Sequence, residues 1–199
     1  MADAHDVFLA LHRDTGEQAS ALVAQVAVGE IGPRQFGELL AAVLEEAHTE
    51  AVVIGRQHAG DPAPLEADDR AFAARIVDGE AEFLAGFVRD LEQGRYEDRD
   101  GNFRVVQAQQ RAGYYSNRLT GSANEAWTLT LPPETTLIYW HLNQSAHSHC
   151  GDCPSLASRS PYASAELPTR PGEGQTACIM QCRCWLQTGG GERGFSIPD

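Results

Sequence analysis

The five cysteines of this chain fall in two short clusters near its end, and no other feature constrains the fold so tightly. His147-Ser148-His149-Cys150-Gly151-Asp152-Cys153 carries a C-x2-C pair, the spacing at which one tight turn lets two thiolates grip one ion. Cys178-Ile179-Met180-Gln181-Cys182-Arg183-Cys184 carries the other three. Cys182 and Cys184 are two apart, so in an extended chain both point to one face. Structural zinc takes four ligands, and two from each cluster close a tetrahedron. The spacing predicts one structural zinc held by four of Cys150, Cys153, Cys178, Cys182 and Cys184. Cys184 is preferred to Cys178 for the fourth place, because it shares a face with Cys182. The competing readings are one or two disulfides, or reduced thiols filling a small core. An odd count leaves one thiol over in a fully bridged scaffold. The start Met1-Ala2-Asp3-Ala4-His5-Asp6 lacks the basic region of a signal peptide, so a reducing compartment is expected.

Length allows one large domain or two small ones in 199 residues. No apolar run reaches the ~18–20 residues of a membrane span, so no membrane partner is expected. The formal net charge is -13, unevenly placed: residues 1–133 hold 22 acidic side chains against 11 arginines. All basic side chains are arginine, and no basic patch stands out. Such a chain is not expected to hold nucleic acid directly.

Apolar residues recur at three- and four-residue steps over 3–28, with Phe8, Leu11, Ala19, Leu22 and Val26 on one face. Gly29-Glu30-Ile31-Gly32 breaks this helix, and Pro33 opens a second that runs to about residue 58. A third is expected from Asp68 as N-cap to Gly94, with Phe72, Ile76, Phe83, Leu84, Phe87 and Leu91 as its stripe. Glu80 falls inside that stripe, and an arginine such as Arg104 or Arg111 is expected to pair with it. A fourth helix is read from Val105 to Ala123. Beyond Leu131-Pro132-Pro133 the composition turns β-prone. Thr135–Leu142 is the best strand, and Cys184-Trp185-Leu186 a short return strand. The stretch between Cys153 and Cys178 shows neither period, and Gly189-Gly190-Gly191 reads as the start of a flexible tail. The fold class expected is α+β: an α-helical hairpin or bundle over residues 1–133, then a small, loop-rich, zinc-stapled β domain over 134–199. So few aliphatic residues in that second part call for a staple, and structural zinc binds at ~10–16 kcal/mol apparent. Chelation is expected to unfold it while sparing the helices.

These features together resemble the phage head morphogenesis family, the minor capsid proteins similar to the F protein of phage Mu. The resemblance rests on Cys150-Gly151-Asp152-Cys153, on Leu167-Pro168 and Pro171-Gly172-Glu173-Gly174, and on Cys178 with Gln181-Cys182-Arg183-Cys184. Weaker matches in the helical part are Gly29-Glu30-Ile31, Ala47-His48, Gly55-Arg56, Glu82-Phe83-Leu84 and Tyr114 to Asn124. One departure is that some members carry histidine before the last pair, where this chain has Cys178 nearby. The resemblance implies a non-enzymatic minor capsid protein that associates with the portal, and with the major capsid protein as a further partner. It implies a place inside the head near the portal vertex, host cytoplasm during assembly, and a part in assembly, DNA packaging or ejection.

Other function classes meet specific obstacles. A zinc deaminase needs His-x-Glu before its cysteine pair; His141, His147 and His149 are followed two residues later by Asn143, His149 and Gly151. A thiol oxidoreductase would use Cys150 as nucleophile with Cys153, without the usual βαβ setting. A metal-dependent nuclease would recruit His141, His147 or His149 with nearby acids. His147 and His149 also stand as substitute zinc ligands, while His141 on the strand is expected to pack. A portal-facing surface is expected around Arg95, Tyr96, Arg99, Phe103 and Arg104, where aromatic and guanidinium groups share a turn.

Overall fold

The computed structural model describes residues 3–61, 64, 66–144 and 149–197. Three long helices come first: α1 (Ala4–Ala27), α2 (Pro33–His58) and α3 (Ala67–Glu92). Asp3 caps α1 by accepting the His5 N–H at 3.0 Å. Pro33 occupies the first turn of α2, where its missing N–H costs nothing. α3 begins one residue before the expected cap. Glu66 takes that place, and the Asp69 carboxylate accepts its N–H at 2.9 Å.

The expected fourth helix is split. α4 (Val105–Gly113) ends, a 3-10 turn (Ser116–Arg118) intervenes, and α5 (Leu119–Thr130) continues. β1 (Leu137–His141) follows, then α6 (Asp152–Arg159), β2 (Tyr162–Ala163) and β3 (Trp185–Thr188), with short 3-10 turns at Ser164–Glu166 and Ile179–Gln181. The sheet is antiparallel in the order β2-β1-β3. In β1, Ile138 and Trp140 are buried while Leu137 and Tyr139 face out, the period of two that a half-buried strand requires.

Two apolar cores result. One lies within the helices: Ala19 and Val23 of α1, Phe36, Leu40 and Leu44 of α2, Leu84, Phe87 and Leu91 of α3, Ala108 and Ala112 of α4, and Tyr115. Phe36 and Phe87 meet edge to face at 5.2 Å. The other joins Phe8, Ala51, Ile54, Leu119 and Trp127 to Ile138, Trp140, Leu156, Leu167, Leu186, Phe195 and three of the cysteines. It crosses the boundary expected at residue 133.

Three parts of the sequence reading are corrected. Phe83 is 54% exposed, not part of the α3 stripe. α6 and β2 lie within the stretch where no regular structure was read. The segment after Gly191 is not a loose tail as far as Ile197. Phe195 is fully buried, and the Asn124 amide brackets it: Oδ1 accepts the Phe195 N–H at 2.8 Å and Nδ2 donates to its carbonyl at 3.0 Å. A buried aromatic with both backbone groups satisfied holds this segment against α5.

Glycine makes two close approaches, one between helices α2 and α5 and one that seats the second part on the first. A Cβ on Gly55 of α2 would run into the Ala123 carbonyl of α5. A Cβ on Gly121 would lie 2.6 Å from the Gly172 carbonyl carbon, and Gly172 itself has φ +82°. The Pro171-Gly172-Glu173-Gly174 loop therefore rests backbone to backbone on α5.

Candidate metal centre

Three local devices position the five cysteines. Cys150 lies just before α6 and Cys153 in its first turn, so the helix start folds the C-x2-C pair back on itself. The Asp152 carboxylate accepts the Ala177 N–H at 2.7 Å, tying that helix start to the turn that presents Cys178. Cys178 Sγ lies 3.2 Å from Thr176 Oγ1. Ile179 follows with φ +50°, a left-handed conformation that β-branched residues rarely adopt, and the chain reverses there. Cys182 and Cys184 sit in the extended stretch leading into β3. They are not in the strand proper, yet their side chains alternate as the spacing predicts: both are buried and Arg183 between them is exposed.

All five thiols are free and converge. Cys150 Sγ is 3.2 Å from Cys153 Sγ, and Cys153 Sγ is 3.8 Å from Cys182 Sγ. The sulfurs of Cys150, Cys153 and Cys178 lie within 4.8 Å of one another, as do those of Cys153, Cys182 and Cys184. Cys153, Cys182 and Cys184 are 1–3% exposed, whereas Cys150 and Cys178 reach the surface. The cluster can hold a metal ion.

Protons are shared unevenly among these sulfurs. Hydrogen bonds to Cys182 and Cys184, with burial added, push Cys153 upward. Cys184 is pulled far down, because the sulfurs of Cys153 and Cys182 hydrogen-bond to it. Burial pushes Cys178 up. Burial also works against ionising Cys150, but hydrogen bonds to Cys153, Cys178 and Asp152 together bring it down. Neighbouring thiolates repel, so the cluster cannot ionise fully alone. A divalent ion bound here would replace the protons and release them, so its occupancy would decrease as pH is lowered.

Histidines do not join the group among the described residues. His149 is exposed. His141 stacks on Trp185 at 4.0 Å, as packing predicts, and its Nε2 is buried without a hydrogen-bond partner among the described residues. His147 lies outside the described residues.

The sequence reading missed a second polar cluster. Glu80 is buried and ion-paired as expected, but its partner is Arg118 at 2.7 Å. Arg104 does not fill that role, and Arg111 serves Asp90 instead, at 2.5 Å. Arg118 also donates to the Glu173 carbonyl at 2.9 Å, linking α3 to the glycine loop. His48 lies 3.6 Å from Glu80, and its Nδ1 is 2.7 Å from Ser122 Oγ. A serine, a histidine and a glutamate thus meet, but all three are at most 2% exposed, so no substrate reaches them. Polar residues at buried helical positions were the available signal; their three-dimensional pairing was not.

The expected portal-facing turn has its aromatics turned inward. Tyr96 and Phe103 are partly buried against the helical core, and Arg111 donates to the Tyr96 hydroxyl at 3.2 Å.

The chain matches no family model, and no curated protein or solved structure is significantly similar to it. Among the described residues no helix is long and apolar enough to cross a membrane.

Proposed function

We propose that this is a non-enzymatic structural protein whose cysteine-rich part is stapled by thiolate-bound zinc. One observation carries the reading: every cysteine of the chain converges on one cluster, three of the five enclosed, at the junction of α6, β3 and the larger core. An all-sulfur donor set suits zinc and other soft ions. Such a staple supplies the stability that the short strands lack.

The biological setting follows from the motif resemblance. We assign the chain the role of a minor head protein of a tailed phage, bound to the portal inside the capsid and aiding assembly, packaging or ejection. The cysteine-bearing stretch that carries the resemblance packs on Tyr114–Asn124, one of the weaker helical matches, through Gly121 and Gly172. An acidic helical surface suits a protein partner better than DNA.

A second reading has one observation behind it. Cys150 is partly exposed, sits at a helix start and ionises below the usual thiol range, as a redox nucleophile does. Two measurements decide between these readings. Zinc analysis with co-expression alongside the cognate portal should give a metal-loaded protein that co-elutes with the portal ring. A metal-free protein that turns over disulfide substrates contradicts the proposal.

A further inference from the structure

We infer that the cluster is a two-ion site in which Cys153 bridges an outer ion, held with Cys150 and Cys178, and an inner ion, held with Cys182 and Cys184. The inference rests on the metal reading above and goes beyond its stoichiometry.

The geometry is that of two triangles sharing a corner. A single tetrahedral zinc with bonds of about 2.3 Å brings all four of its sulfurs within about 3.8 Å of one another. Among the described residues no four sulfurs meet even a 4.8 Å limit; the two groups have three each, with Cys153 common to both. The edges that Cys153 makes, 3.2 Å to Cys150 and 3.8 Å to Cys182, span the separation expected for sulfurs bound to one ion. Each triangle can hold its own ion with little movement, whereas one ion in the middle needs one triangle to open.

Charge points the same way. One divalent ion on four thiolates leaves two negative charges and a fifth thiol unused. Two divalent ions on five thiolates leave one, in a chain already at -13. Burying the smaller residual charge costs less. The two positions also differ. The inner triangle is 1–3% exposed, while Cys150 and Cys178 reach the surface. The outer ion thus completes its coordination with water and exchanges first, while the enclosed inner ion keeps a three-sulfur set. Neither triangle includes a histidine or carboxylate among the described residues, so both select soft ions such as zinc, cadmium or copper(I) over hard ones.

The test uses the full chain, stripped of metal under reducing conditions, reloaded with zinc and then with cadmium-113. Zinc per chain by elemental analysis should reach two. A plateau at one overturns the bridge and leaves the staple standing. A plateau at zero overturns the staple as well. Two cadmium resonances that split each other through the shared sulfur are expected, and a single resonance overturns the inference without any variant that must fold. Cys178→Ser should keep the inner ion and lose the outer, Cys184→Ser the reverse, and Cys153→Ser should weaken both at least tenfold. Equal retention of both ions by Cys153→Ser contradicts the assignment.

Discussion

The two cores of this protein are built by different rules. The helical core takes its residues from long amphipathic segments, where successive turns in parts of α1, α2 and α3 contribute side chains at helical spacing and the ladder satisfies the backbone locally. The mixed core gathers one to three residues each from α1, α2, α5, α6, two strands and four irregular stretches, and three of its buried members are thiols. The first loses little if any one segment loosens. The second is spread over more segments, and on the proposed staple it depends on what holds the cysteines together. One core thus follows from periodicity, while the other closes around a thiol cluster that can hold a metal ion.

The seam between them is the first place to break this contrast. Replacing Glu80 with alanine leaves the Arg118 guanidinium buried without its carboxylate, and loss of one partner of such a pair costs about 3–5 kcal/mol. Urea denaturation should show that loss, with Glu80→Gln milder because it keeps an acceptor. An unchanged midpoint would mean that Arg118 is held by the Glu173 carbonyl alone.

Asn124 tests the mixed core more narrowly. Its amide satisfies both backbone groups of buried Phe195, and Asn124→Ala strands them at roughly 1–3 kcal/mol each. Limited proteolysis should then cut near residues 191–196 while the helical core stays resistant. Resistance equal to that of the parent would show that Phe195 is held by its ring contacts alone.

The smallest effect belongs to the helical core. Burial raises the Tyr115 phenol from 10.0 to about 12 in the folded protein. The folded state keeps its proton longer than the unfolded chain does. This contribution is therefore complete below pH 10 and lost as pH rises toward 12, at about 1.4 kcal/mol per pH unit. Tyr115→Phe should flatten that part of the melting-temperature profile, and an identical alkaline slope in both proteins would remove Tyr115 as its source.

Legibility in the sequence follows the same division. α1, α2 and α3 were readable nearly to the residue, because apolar period, Pro33 and the Gly29–Gly32 break all agree. The thiol convergence was readable from spacing, since i and i+2 in an extended stretch share a face. α6 was not readable: its eight residues include Pro154 and two serines, and bury only Cys153 and Leu156. The anchoring of Phe195 was hidden behind three glycines that signal looseness, because its partner Asn124 lies 71 residues away. Arg118 as the partner of Glu80 and Cys153 as the shared corner were equally out of reach. Each depends on how segments distant in sequence are placed, which no local pattern encodes.

Hydrogen exchange with and without a chelator tests the central claim most directly. On metal removal, protection should collapse at Ile138, Trp140, Leu186 and Phe195, while Leu40, Phe87 and Ala108 keep most of theirs. Uniform protection after complete metal removal would show that the cysteine-rich part folds without coordination, and would contradict the account.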